Sequence, residues 1–487
     1  MNIPRLRYSA VGPCVALAMG GVLAAACCMD TAGASESDGI RPYSENPFYW
    51  QYDGEPILLI GASDSDNLWQ WTGEQLTEHL DRMVAAGGNY ARCTMSDRDE
   101  GDVFAYDEIE DGLYDLNEWN DAYWDRLTFF LDETAERDII VQLTLWDRYD
   151  LGRFDTHPLN PDNNVNLESD ALTGMRDYYG GSLQDNNEAV LEIQHRYIEQ
   201  LLSITLQYDH VLYNINNEGD HPRKWDDYWA EHLLELANEQ GAEIHVTAMA
   251  FSPMNSVYHA LTRRDIYAFA EISQNNQDAL GAVGRQHYEN VIRWRTIIAA
   301  HPEGPMPMNN EKVYGQGVGG NTAAGTEKEA VERVWRNIFA GAASSRFHRP
   351  AMRNGWGWGT GLSERAESTL RAVSAFLEEF DVFRASPYFE VEMDSHSIHA
   401  DYCLAIPGEA YAVYFPSGRA TVYLNPWVYA DEVSLRWLDI EEAAWSDEEI
   451  IELEWDQEMD RWWGPRRVIN LTPTDHGSYV ALVEIAD

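Results

Sequence analysis

The chain has 487 residues, 45% hydrophobic and 12% aromatic, which suits one large domain and one small one with ordinary cores. Asp and Glu number 82 against 34 Lys and Arg, a net charge of −48, and the only lysines are Lys224, Lys312 and Lys328. Such a surface repels nucleic acid and anionic membranes, and no nucleic-acid partner is expected; spread along the whole chain, the charge resembles that of salt-adapted proteins, whose self-repulsion salt screens.

The first 34 residues predict an export signal. Arg5 and Arg7 precede an apolar stretch from Val11 to Ala26, and Ala32-Gly33-Ala34 offers a small-residue cleavage site. Leu23-Ala24-Ala25-Ala26-Cys27 is a loose lipoprotein box, so Cys27 is an alternative lipid anchor. No later segment has eighteen continuous apolar residues, so no transmembrane segment is expected and the protein is secreted, periplasmic or tethered by lipid. After cleavage two of five cysteines remain, Cys93 and Cys403, too few for a disulfide framework.

Short β-type runs then alternate with amphipathic segments. Strands are predicted at Pro56–Ala62, Asn89–Met95, Ile139–Trp146, His210–Asn216, Ile244–Met249, Ile266–Ile272, Pro305–Asn310 and Ser344–Phe347. Helices are predicted at Glu74–Ala86, Trp119–Glu136, Glu188–Gln207, Asp226–Gln240, Glu289–His301, Glu327–Gly341 and Ser363–Phe380, with only a weakly helical link between strands five and six. Parallel strands need crossover connections, so eight such units predict an α/β fold, a (β/α)8 TIM barrel with insertions. The competing open doubly wound sheet lacks a glycine-rich phosphate turn after strand one. Beyond Arg384–Pro387 short strands separated by turns predict a small all-β sandwich. The expected domains are thus residues 1–34 (signal), 35–385 (barrel) and 386–487 (sandwich). The aperiodic stretch Asp147–Asn186 is long for a loop and reads as a lid or binding wall.

In a TIM barrel, reactive groups stand at the C-terminal ends of strands. Strand four ends in Asn216-Asn217-Glu218 and strand seven in Asn309-Asn310-Glu311. These strands lie across the barrel from one another, and two carboxyls facing across a sugar-sized gap are what glycosidic cleavage needs. One protonates the leaving oxygen and the other attacks the anomeric carbon, at about 5–5.5 Å separation in retaining enzymes. Glu218 is therefore read as general acid/base and Glu311 as nucleophile. Around them, Asp64 and Asp66 after strand one, Trp146 and Asp147 at the end of strand three, Gln274 and Asn275 after strand six, His348 after strand eight, and Trp356 and Trp358 in the glycine-rich run to Gly361 are candidate sugar contacts. Trp146 reads equally well as a core residue, and Asp64 and Asp66 as a solvated loop. Arg92, Arg148, His348 and Arg349 gathered at one mouth suggest an anionic sugar. No cofactor or metal is expected: strand one is not followed by His-x-His and no Gly-x-Ser-x-Gly elbow occurs.

Asn217-Glu218 after strand four, with a second Glu after strand seven, resembles the large clan of retaining (β/α)8 glycosidases. That resemblance implies that Asn217 binds the sugar 2-hydroxyl and that Arg92 orients the nucleophile. Asn46-Pro47-Phe48-Tyr49-Trp50 through Gly54–Gly61 is similar to the apiosidase-like branch of that clan. Ala410–Gly418, Arg436-Trp437 and Gly477-Ser478-Tyr479-Val480 are similar to the C-terminal domain of that branch, which carries a collagen-binding label. Strand six departs from the pattern: many clan members place Tyr or His near its end, whereas this chain has Glu271-Ile272-Ser273, which makes Glu271 a rival nucleophile. A non-catalytic carbohydrate-binding protein on the same scaffold is the alternative expectation.

Overall fold

A computed structural model describes residues 39–485 apart from 148–153, 176, 182–186, 220–221, 274, 276–284, 316–324, 351–357, 390, 394–401, 417–420, 425, 427–429, 454 and 457–465. The expected export signal and Cys27, with Arg148, Gln274 and Trp356, lie outside the described residues.

Among the described residues eight strands alternate with eight helices: β1 (Leu59–Ala62), α1 (Glu74–Ala85), β2 (Tyr90–Thr94), α2 (Asp121–Ala135), β3 (Ile140–Asp147), α3 (Glu188–Thr205), β4 (Val211–Asn217), α4 (Arg223–Glu239), β5 (His245–Thr247), α5 (Pro253–Thr262), β6 (Ala270–Glu271), α6 (Arg285–Ala299), β7 (Met308–Asn309), α7 (Glu327–Phe339), β8 (Ser344–Phe347) and α8 (Glu364–Glu379). Several of the helices begin at side-chain caps. Asn120 accepts from Ala122 N, Ser363 from Ala366 N, and Thr326 with Glu329 forms a capping box. In α1, Leu76, Leu80 and Met83 recur at helical spacing and are all buried.

The strands form three parallel ladders, β2-β3-β4-β5, β6-β7 and β8-β1. Single backbone hydrogen bonds join them: Asn89 N to Ile60 O (2.8 Å), Ala268 N to Val246 O (3.0 Å), and Ala343 N to Met308 O (2.8 Å). Within each ladder neighbours follow chain order, and β8 pairs in parallel with β1. The register sets Glu271 beside Asn309, so Ser273 and Glu311 stand two residues further toward the strands' C-terminal ends. One close approach is needed for β1 to meet β2. A Cβ on Gly61 would lie 1.9 Å from the Tyr90 carbonyl oxygen, a backbone atom that cannot turn aside. Gly61→Ala should destabilise by at least the ~1–3 kcal/mol of an overpacked core, read as a lower denaturant midpoint; an unchanged midpoint would contradict this packing.

Three departures from the sequence reading have simple causes. Trp119 ends an antiparallel hairpin, Tyr106–Glu110 with Leu113–Trp119, that sequence periodicity did not reveal because its first strand is largely exposed and acidic. The link between strands five and six contains α5, started by Pro253 at its first turn. Strand six is only two residues long, with Ile272 N still bonded to Asn309 O at 2.8 Å and Asn275 N already turned back to Ile272 O at 3.0 Å.

After α8 come two antiparallel sheets of three or more strands, beside a two-stranded pairing of Trp455–Asp456 with Arg466–Arg467. One orders Ser386–Pro387, Cys403–Ile406, Ala410–Phe415, Tyr479–Ile485, Glu432–Asp439 and Ala444–Trp445, with Glu449–Glu452 also on Glu432–Asp439; the other orders Val391–Met393, Val422–Leu424 and Ile469–Leu471. Alternation sends Cys403, Tyr411 and Val413 into a cluster with Val422, Leu424 and Ile469. The opposite face packs on the helices: Tyr414 stacks on Trp335 of α7 at 5.9 Å, and Tyr402 accepts from Arg336 Nε at 3.1 Å. Cys93 and Cys403 are both free and buried. No helix among the described residues is long and apolar enough to cross a membrane.

Candidate active site

Glu218 follows directly on β4, and Glu311 stands two residues past the end of β7. Both are buried, Glu311 completely. Glu218 holds φ at +60°, a left-handed conformation that L side chains adopt at a cost of about 1–3 kcal/mol. Such strain persists where surrounding contacts fix the residue, and here they do.

A continuous polar network joins the two carboxyls. Arg92 from β2 sets Nε 2.7 Å from Glu311 Oε1 and donates from Nη2 to Asn217 Oδ1 at 3.1 Å. Lys312 donates to the same Asn217 oxygen and, at 2.6 Å, to Glu218 Oε1. Asn217 Nδ2 donates to Asp147 Oδ1 at 2.9 Å. The resemblance-based role of Arg92 thus has a contact to stand on: the guanidinium spans Glu311 and Asn217, fully enclosed.

Asp66 anchors the cations. Its oxygens meet Arg349 Nε (2.6 Å), Arg98 Nη2 (2.8 Å), Arg92 Nη1 (3.3 Å), His348 Nδ1 (3.4 Å) and Arg346 Nη2 (3.8 Å). Burial disfavours its charge, but His348, Arg349, Arg92 and Arg98 outweigh that and hold the carboxyl well below the usual carboxylate range. The imidazole is itself shifted. Its own burial, with Arg346, Arg349 and Lys312 nearby, holds His348 well below the ordinary range and therefore neutral. Arg98 also bonds Asp147.

Beneath Glu311 lies a second polar layer. Gln142 Nε2 donates to Glu311 Oε2 (2.5 Å) and to Glu271 Oε2 (3.1 Å), while its Oε1 accepts from Tyr90 OH (2.6 Å) and Asn309 Nδ2 (2.9 Å). Trp50 Nε1 bonds Asn309 Oδ1 at 2.9 Å, so the layer ends on an indole. Burial pushes Glu311 above the usual glutamate range, with Arg92, Lys312 and Arg346 pulling it back. Burial and the Glu311 charge push Glu271 further, to about 8.

Of the remaining sequence candidates, some join this cluster and others do not. Asp66, Asp147, Asn217, Arg92 and His348 belong to it. Tyr314 lies between His348 (5.2 Å) and a partly exposed Trp358 (5.5 Å), so Trp358 extends an aromatic row from the cluster. Asp64 does not join: it accepts from Leu362 N at 2.7 Å and faces His79, tying the loop after β1 to the start of α8. Asn275 is buried against α6, donating to His287 O and accepting from Asn290. Trp146 is enclosed by Tyr178, Tyr197, Trp225 and Trp229, which is the core placement and not an open stacking platform.

Sequence reasoning gave no role to Lys312, Gln142, Arg98 or Arg346. Two signals were present. Lys312 is one of three lysines and follows Glu311 directly; Gln142 is the lone amide in an apolar strand, and a buried polar group must find partners.

No protein-family model matches the sequence, and no curated protein matches it. Solved structures do. A glycoside hydrolase family 5 structure from Bacteroides vulgatus ATCC 8482 is 14% identical with a TM-score of 0.60, covering 92% of this chain and 94% of its own. A structure described as a glycoside hydrolase is 11% identical with a TM-score of 0.59, covering 92% and 97%. At these identities the likeness is one of fold, and it extends over nearly the whole chain.

Proposed function

We propose that the protein is a secreted glycoside hydrolase of the retaining type, with residues 35–385 forming a (β/α)8 catalytic barrel and residues 386–487 a β-sandwich of the apiosidase-like branch. The observation that carries this reading is the network Glu311–Arg92–Asn217–Lys312–Glu218, which ties two strand-end carboxyls to one buried cluster. A binding protein has no need of two buried glutamates held in this way. The fold shared with glycoside hydrolase structures supports it.

Glu311 is the nucleophile. Arg92 stabilises its charge and fixes its carboxylate plane, and attack on the anomeric carbon forms a glycosyl-enzyme ester. Glu218 donates a proton to the departing oxygen, then withdraws one from the water that opens the ester. The Lys312 ammonium favours an ionised neighbour, so the Lys312–Glu218 contact loosens as the leaving group enters and Glu218 takes up the proton it must give. Asn217, already pinned by Arg92, Lys312 and Asp147, faces the sugar ring. Four arginines and Lys312 in a chain of net charge −48 favour an anionic sugar, uronic or sulfated. The test is release of reducing sugar from aryl glycosides and from plant and algal polysaccharides, neutral and anionic, by the folded wild type. Release from none of them, with binding retained, supports the non-catalytic alternative.

A further inference from the structure

Glu271 has no part in the two-carboxyl scheme, yet it is fully buried and built into the floor of the site. Register places it one layer below Glu311, beside Asn309. Its Oε1 accepts from the Ser273 amide (2.8 Å) and hydroxyl, and its Oε2 shares Gln142 Nε2 with Glu311 Oε2. Ser273 Oγ also accepts from the Glu311 amide at 2.7 Å, so Glu271 and Glu311 are linked twice, once through side chains and once through the backbone.

The cations serve Glu311 and leave Glu271 aside. Arg92 contacts Glu311, and Arg346 Nη1 donates to the Glu311 carbonyl at 2.6 Å. Around Glu271 the titratable neighbours are Glu311 itself and the Tyr90 phenol, whose own ionisation burial opposes; Gln142, Ser273 and Asn309 are neutral. Two carboxylates flanking one amide nitrogen in a dry layer cannot both stay ionised cheaply.

We propose that Glu271 is kept as a neutral carboxylic acid, holding the single proton of a Glu271–Glu311 pair, and that it acts as a positioning residue for Glu311 through Gln142 and Ser273. It is not a second nucleophile: it lies a layer too deep, and its oxygens are occupied. The proton rests on Glu271 because Arg92 stabilises the charge on Glu311. The positioning role rests on the glycosidase reading; the protonation does not.

The folded state then holds a proton that the unfolded chain releases near 4.5, so the stability this group contributes falls as pH rises from there to about 8, and its contribution is level above. The experiment is the urea midpoint across that window, in high salt to screen surface charge, for wild type, Glu271→Gln and Glu311→Gln. Relative to Glu271→Gln, wild type should lose stability across that window; the difference isolates Glu271 from Glu311 and the other buried groups that titrate in both. Glu311→Gln should keep this descent but reach its upper end at lower pH, since the neighbouring charge is gone. Parallel curves for wild type and Glu271→Gln overturn the proposal. If Glu271→Gln does not fold, an unmoved or absent descent in Glu311→Gln does so. On an active aryl glycoside, Glu271→Gln should keep neutral-pH turnover within about tenfold, because an amide mimics the neutral acid, with a flattened pH profile, while Glu271→Ala loses more. A dead Glu271→Gln with intact fold would make Glu271 a nucleophile instead. Failure of every glycoside to react removes the glycosidase reading alone; the titration still judges the proton.

Discussion

Glu311→Gln should abolish turnover, lowering kcat by about 10⁴-fold or more, the scale on which an essential nucleophile is lost. The amide cannot attack the anomeric carbon. It still fills the same volume and presents an oxygen to Arg92, so the fold should survive. Glu218→Gln should behave differently, and the difference is the informative result. A general acid contributes typically about 10²–10⁴-fold, and only where the departing group needs a proton. Dinitrophenyl glycosides leave unaided, so the variant should retain much of their bond cleavage and stall at hydrolysis of the ester. Methyl or unactivated glycosides should be nearly inert. Equal loss on both substrate types, or wild-type rates in either variant, would remove Glu218 and Glu311 from these roles.

The second large effect falls on Arg92. Its guanidinium is fully buried between Glu311, Asp66 and Asn217. Arg92→Met keeps some of the volume but leaves two carboxyls in the interior without their shared cation. Removing one partner of a buried ion pair costs about 3–5 kcal/mol, read as a lower urea midpoint. The catalytic consequence has a defined sign. Burial already pushes Glu311 up and Arg92 is the first of the groups that counter it. Without Arg92 the carboxyl titrates higher, so the acidic limb of kcat/KM should move to higher pH. A purely structural arginine would lower stability without moving that limb. The double variant Arg92→Met/Glu311→Gln should be less destabilised than the two single losses together, because the charge that Arg92 serves is gone.

Much of the site's geography was legible in one dimension. Glu218, Glu311 and Arg92 were readable because each stands at or near the end of an apolar run, and a parallel strand delivers its C-terminal end to one face of the fold. Lys312 was not. Strand alternation assigns it to the side opposite Glu311, but the β7 ladder ends at Asn309, and beyond it the chain is free of that alternation, so the ammonium reaches Glu218 and Asn217. Trp146 was ambiguous for a related reason. A strand-end indole can face a ligand or a helix layer, and here the rings of Trp225 and Trp229 on α4 and of Tyr197 on α3 decided for packing.

What the amino-acid order determined by itself was the alternation of strand and helix, the change to short β segments after Pro387, and the acidic composition. All of these follow from local periodicity, turn residues and composition. What only the tertiary structure decided was which charges share a dielectric. Asp66 among four arginines, and Glu271 against Glu311 through one Gln142 amide, come from segments tens to hundreds of residues apart, and their protonation depends on distances of a few ångströms that no spacing along the chain encodes.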